Sequence, residues 1–145
     1  MAEPLFSVRG LKVALPDMAR KPLFGRAPMV EILKGLDLDL PRRSVTGIVG
    51  ESGSGKSTLG RALVRLIEPS AGTVIFDGRD ITHLPESDLK PLRRNLQMIF
   101  QDPMSSLNPR HAIRRILTAP LLLHAIARTQ HEADRLASAT LERVG

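Results

Sequence analysis

Apolar and polar positions along the chain change period several times, and each change marks an element. Leu5 to Ala14 is rich in apolar residues, with Phe6, Val8 and Lys12 in alternation, and reads as a strand. Leu15 to Pro28 carries three prolines, a glycine and three basic residues, the chemistry of a loop or insertion. Val30 to Leu33 is a short strand candidate. Leu36-Asp37-Leu38-Asp39-Leu40 alternates strictly and predicts a half-buried strand with its aspartates in water. A turn at Pro41 to Ser44 leads into Val45 to Val49, an unbroken apolar run that predicts a buried strand ending on glycine.

The period then changes. Ser57 to Ile67 places Leu59, Ala62, Leu63 and Leu66 at helical spacing, and Pro69 to Gly72 stops the helix. Thr73 to Phe76 predicts a strand that ends in the turn pair Asp77-Gly78. Glu86 to Arg94 predicts a short helix, with Pro91 suited to a helix start, and Leu96 to Phe100 a second buried strand. Gln101 to Arg110 is loop-like. His111 to Ala127 is helical in pattern, broken or kinked near Pro120. In the last helix Thr129 and Glu132 match a capping box, and Asp134 and Arg143 sit at the ends that suit the helix dipole. No internal repeat is visible.

Composition narrows the chemistry. The 145 residues amount to about one small domain, with 42% apolar and 25% charged residues, an ordinary globular balance. The absence of cysteine excludes disulfides, zinc–thiolate sites and thiol nucleophiles. Four histidines (His83, His111, His124, His131) give little material for a metal cluster. Without tryptophan or tyrosine, an aromatic platform for single-stranded nucleic acid is not expected. The formal charge of +6 arises from scattered pairs such as Arg42-Arg43, Arg93-Arg94 and Arg114-Arg115, not from a block. It fits a solvated basic surface or a patch for a specific partner. The N-terminus lacks a signal-peptide pattern, and the apolar stretch from Ala119 to Ala127 falls far short of the ~20 residues that span a bilayer. A cytoplasmic chain is expected, with any membrane association made through a partner.

The sharpest signal is Gly50-Glu51-Ser52-Gly53-Ser54-Gly55-Lys56-Ser57-Thr58, which satisfies G-x-x-x-x-G-K-[ST] between a predicted strand and a predicted helix. Glycines let backbone approach phosphate oxygens without an intervening Cβ. Successive N–H groups and the positive end of the following helix face the anion. Lys56 offers a compact charge to the β and γ phosphates, and the Ser57 hydroxyl is a ligand for Mg²⁺. The alternative is a Gly/Ser-rich connector. Many kinases, GTPases and ATPases share such a cradle. A guanine-reading Asn-Lys-x-Asp is absent.

Downstream, Leu96-Gln97-Met98-Ile99-Phe100-Gln101-Asp102-Pro103 runs into Met104-Ser105-Ser106-Leu107-Asn108-Pro109-Arg110. Together with the cradle, this resembles the ATP-binding subunits of ABC transporters, in particular the oligopeptide, dipeptide and nickel importer branch. The insertion Arg20 to Arg26 and the stretch Thr73 to Asp80 resemble that branch too. The resemblance implies an α/β fold: an incomplete P-loop NTPase core with an antiparallel β subdomain, over about residues 1–100, then the Q-loop and the start of a helical subdomain, over about 101–145. It implies ATP and Mg²⁺ as cofactors. It implies Gln101 as the Q-loop glutamine, touching the metal or the attacking water and reporting nucleotide state. The implied partners are permease subunits, a second ATP-binding subunit and, indirectly, a solute-binding receptor, with no nucleic acid. The implied location is the cytoplasmic face of the membrane.

Other parts of the family pattern are not in these residues. A metal-holding aspartate is expected after a second apolar strand. Val74-Ile75-Phe76-Asp77 is a decoy for it, because Asp77-Gly78 reads as a hairpin turn. The sequence has no Leu-Ser-Gly-Gly-Gln signature and no later switch histidine; His111, His124 and His131 precede the places where these fall. The chain is therefore expected to be the N-terminal portion of an ATP-binding subunit, able to bind ATP weakly with negligible turnover. The family stacks the base on an aromatic near the end of the first strand; here Leu15 takes that place, and Phe24 is the next aromatic. The competing expectation is a non-catalytic interaction module or an inactive truncated fragment. A nucleotide kinase would need a lid and an acceptor site, and neither is evident.

Overall fold

The structure is a computed structural model and describes residues 3–103 and 106–145. Met104 and Ser105 of the Gln101–Arg110 stretch, like Met1 and Ala2, lie outside the described residues. The chain divides into two compact units, Met1–Met98 and Ile99–Gly145.

The first unit is built on a four-stranded antiparallel sheet of order β2-β1-β3-β4, comprising β1 (Phe6–Pro16), β2 (Met29–Leu40), β3 (Ala71–Phe76) and β4 (Arg79–Asp80). The alternation in β1 changes phase at Arg9-Gly10, where its pairing with both neighbours shifts register. Leu11 and Val13 thereby join Phe6 and Val8 on the buried side, and Lys12 does not. A bulge re-aims side chains in this way. The two strand candidates at Val30 to Leu33 and Leu36 to Leu40 are one strand, bent at Gly35. Its aspartates face solvent as expected, Asp39 pairing with Arg9 (2.7 Å) and Asp37 accepting the Gly10 N–H (2.6 Å). On the other side of β1, Gly72 admits no side chain, since a Cβ there would lie 2.4 Å from the Gly10 carbonyl oxygen.

Val8, Leu11, Val13, Val74 and Ile81 are fully buried at the centre of the core, and the paired Phe6 and Phe76 rings lie 4.9 Å apart. Helix α1 (Lys56–Leu63) adds Leu59, Ala62 and Leu63 to the same core. Asp77 and Gly78 both have positive φ, 52° and 76°, as a tight hairpin turn requires, so Asp77 closes a hairpin, pairing with Arg42, and does not end a core strand. The segment expected as one short helix is α2 (Glu86–Leu89) followed, after Pro91, by a 3₁₀ turn at Leu92–Arg94.

Two predicted strands are not formed. Neither Val45 to Val49 nor Leu96 to Phe100 has strand pairing, and Val45, Val49 and Ile99 are 102%, 96% and 88% exposed. The physical reason is the ladder. An apolar run becomes a buried parallel strand only where neighbouring strands satisfy its backbone groups. Among the described residues no strand does so for these two runs.

The second unit contains α3 (Ile113–Leu123) and α4 (Gln130–Val144). Pro120 lies within α3 without ending it. The helix stops a turn later, where Ala125 takes φ 52° and the Ile126 N–H donates to the Leu121 carbonyl (2.8 Å). At the start of α4, Thr129 Oγ1 accepts the Glu132 N–H (3.2 Å), and Glu132 accepts the N–H of Arg128, one residue before the cap (2.8 Å). No helix of the described residues is long and apolar enough to cross a membrane.

Candidate phosphate-binding site

The loop Gly50 to Gly55 is solvent-facing and delivers the chain into α1 at Lys56. Gly55 is the cap residue, at φ 91°. Two conditions demand glycine here. That φ is unfavourable for an L side chain, and a Cβ would meet Leu33 Cδ2 at 3.0 Å and Ile32 Cγ2 at 3.4 Å. The loop is thus seated directly on β2. These two β2 residues are part of the site's support, and nothing in the sequence pattern marks them as such.

The helix begins bare. No side chain caps it, and its first intrahelical bond runs from the Leu59 N–H to the Gly55 carbonyl (2.8 Å). The amides of Lys56, Ser57 and Thr58 therefore precede the intrahelical ladder, at the positive end of the helix dipole. Such a terminus favours an anion.

Lys56 folds its side chain back across the loop. Its Nζ donates to the carbonyls of Gly50 (2.8 Å) and Glu51 (2.5 Å) and to Ser54 Oγ (3.3 Å). The ammonium is thereby held against the loop by three oxygens. The Ser54 N–H is engaged within the loop by the Glu51 carbonyl (3.2 Å). Ser57 follows Lys56 in the first turn and is exposed. A lone hydroxyl makes a poor metal site, but Mg²⁺ takes few protein ligands when phosphates supply the rest, and Ser57 beside a phosphate cradle fits that donor set.

The structure brings Gly50, Glu51, Ser52, Gly53, Ser54, Gly55, Lys56, Ser57 and Thr58 into one loop and helix start. The helix is where the sequence places it. The segment ahead of the loop is irregular coil in place of the expected strand. Gln101 belongs to the second unit and is exposed. Leu15 pairs with Val30 at the end of β1 and is half-buried, while Phe24 is 87% exposed in the loop before β2. Of the histidines, His83 lies 3.2 Å from Glu68, His124 caps the end of α3 and His131 opens α4. No three His, Asp or Glu side chains among the described residues converge as a metal site would require.

Comparison with known proteins bears on the same residues. The family model described as ABC transporter matches residues 33–145, which include the loop, α1 and Gln101. The chain is 44% identical over 144 residues to the glutathione import ATP-binding protein GsiA of Salmonella paratyphi A, covering 99% of this chain and 23% of that protein. It is 43% identical over 141 residues to a peptide import ATP-binding protein of Brucella ovis, covering 97% of this chain and 42% of that one. The chain thus spans less than half the length of these curated relatives. Among solved structures, it superposes on the dimeric ATP-binding cassette MJ0796, in a post-hydrolysis state with ADP and phosphate, with a TM-score of 0.74 at 23% identity, over 94% of this chain and 56% of that one. It superposes on cbiO1 of Clostridium perfringens with a TM-score of 0.57 at 21% identity, over 95% and 61% of the two chains. These two likenesses establish the α/β cassette fold, of which the antiparallel sheet and helices here are a part. The match to the family model over most of the chain settles kinship: the chain belongs to the ABC transporter family.

Proposed function

We propose that the chain is the nucleotide-binding part of an ABC importer for oligopeptides, dipeptides or a related small solute, coupling ATP binding and hydrolysis in the complete transporter to transport. The observation that carries this reading is the bare start of α1 beneath the Gly50–Gly55 loop, with Lys56 Nζ poised on loop carbonyls. The importer names of the relatives supply the solute class.

In this reading the loop amides and those opening α1 receive the β and γ phosphates of ATP. Lys56 releases Gly50, Glu51 and Ser54 to reach them. The Ser57 hydroxyl would hold Mg²⁺, which would neutralise phosphate charge. Gln101 lies on the segment that passes nucleotide state to the permease subunits. A second ATP-binding subunit completes the catalytic site. The solute-binding receptor acts only through the permease, which also holds the chain at the cytoplasmic face of the membrane. Residues to about 100 form the β subdomain and P-loop core, and those beyond begin the helical subdomain.

Titration calorimetry of the 145-residue chain with ATP tests the reading. Saturable binding that weakens without magnesium, and weakens at least about tenfold in Lys56→Ala, is expected. An interaction module or an inactive fragment gives no heat of binding with or without the metal, and that result overturns the proposal.

A further inference from the structure

Helix α1 starts at the phosphate loop and ends at a pair of arginines that the nucleotide reading leaves unused. The carbonyls of Val64 and Arg65, just past its last turn, point to the guanidinium of Arg93. One Arg93 nitrogen donates to the Val64 carbonyl, and another donates to the Arg65 carbonyl at 3.0 Å. The same guanidinium is fixed from its other side by Glu86, through Nε (3.3 Å) and a terminal nitrogen (3.0 Å). A planar cation with five donors in a fixed fork serves four acceptors here, two successive carbonyls and both carboxylate oxygens, one more than the three donors of an ammonium can reach. Its charge also sits at the negative end of the helix dipole.

The adjoining chain is tied back to Arg93 at one place and to α1 itself at another. Gln97 Nε2 donates to the Arg93 carbonyl (2.5 Å). The Met98 methyl lies against Gly60 in the middle of α1, 3.6 Å from where a Cβ would stand. Arg65, its side chain only 5% exposed, fastens the same helix end to the strand β4 exit by donating to the carbonyls of Ile81 (2.8 Å) and Leu84 (3.4 Å). The eight residues of α1 form a rod of about 12 Å. Phosphate contacts lie at one end and Arg93 at the other, on the stretch of backbone that continues through Met98 to Gln101.

We infer that Arg93 is a positioning residue that couples the phosphate-loop helix to the Gln97–Pro103 segment, so that filling the loop restrains that segment. The inference rests on the nucleotide reading above. Arg93 touches no part of the loop itself, so its removal breaks the coupling and leaves phosphate binding in place.

Hydrogen exchange of the 145-residue chain, with and without Mg·ATP, together with the ATP dissociation constant, tests it. In the unsubstituted chain ATP slows exchange over residues 97–103 by about fivefold or more. In Arg93→Gln the dissociation constant stays within about twofold and the ATP-dependent slowing is lost. Arg93→Lys, gentler on folding, loses most of it, because a shorter side chain with one nitrogen replaces the two nitrogens that meet the Val64 and Arg65 carbonyls. Glu86→Gln keeps it, since the carbonyl contacts survive. A purely structural Arg93 lowers the melting temperature but leaves the ATP-dependent difference at full size in either Arg93 variant, and that result overturns the inference. ATP that binds the unsubstituted chain without slowing 97–103 overturns it as well. ATP that fails to bind at all overturns the nucleotide reading with it.

Discussion

Lys56 sets the sensitivity of the site. Its ammonium rests on three oxygens of the loop, so the charge is held against the loop. Gly55 and Gly60 make a sharper contrast, because one caps α1 and the other lies in its middle, and they respond oppositely to a methyl group. At Gly55 a Cβ meets Leu33 at 3.0 Å and φ is 91°, so Gly55→Ala should lower stability by about 1–3 kcal/mol and disturb the loop. Gly60 lies inside α1 with only ordinary contact awaiting a Cβ, so Gly60→Ala should raise stability by about 0.5–1 kcal/mol. Urea denaturation of the two variants measures both signs. Equal effects would show that the loop is not seated on β2 as described.

At the scale of elements, α3 and α4 are joined by Arg114 and Asp134 at 2.5 Å. The hydrogen bonds from Arg114, aided by Gln130, hold the Asp134 carboxyl down to about 2 from its ordinary 3.8. A carboxylate so depressed contributes stability that is present in full above its unfolded pKa and is lost as pH falls through the folded one. The melting temperature of the unsubstituted chain should therefore exceed that of Asp134→Asn by a constant margin above about pH 4, and the margin should close as pH falls toward about 2. At the start of α4, Thr129→Ala should cost about 1 kcal/mol through loss of the cap on Glu132. The capping box, the alternating aspartates of β2 and the Asp77-Gly78 turn were legible in the sequence because each is a local arrangement of neighbours. The phase change of β1 was not, because it depends on Gly10 meeting Asp37 on another strand. Nor was the seat of the loop on Ile32 and Leu33, which no local pattern encodes.

At the scale of the whole molecule, the antiparallel sheet forms completely from its own residues, whereas Val45 to Val49 and Leu96 to Phe100 do not become strands. Their apolar character correctly signals a taste for burial. Periodicity says nothing about whether a pairing partner is present, so the strands it predicts at these two places do not form. Amides of residues 45–49 should exchange at nearly unprotected rates while those of β1 and β3 remain protected. Slow exchange at 45–49 would show a ladder that the structure lacks. The phosphate loop is nevertheless shaped without that strand, because β2 and α1 hold Gly55 between them.

Backbone-amide NMR of the chain titrated with Mg·ATP tests the central claim most directly, since it reports which groups meet the polyphosphate. The largest shifts should fall on Gly53 to Thr58, and Lys56→Ala should abolish them. Shifts confined to other residues, or unchanged in Lys56→Ala, would contradict the assignment of this loop as the grip on nucleotide.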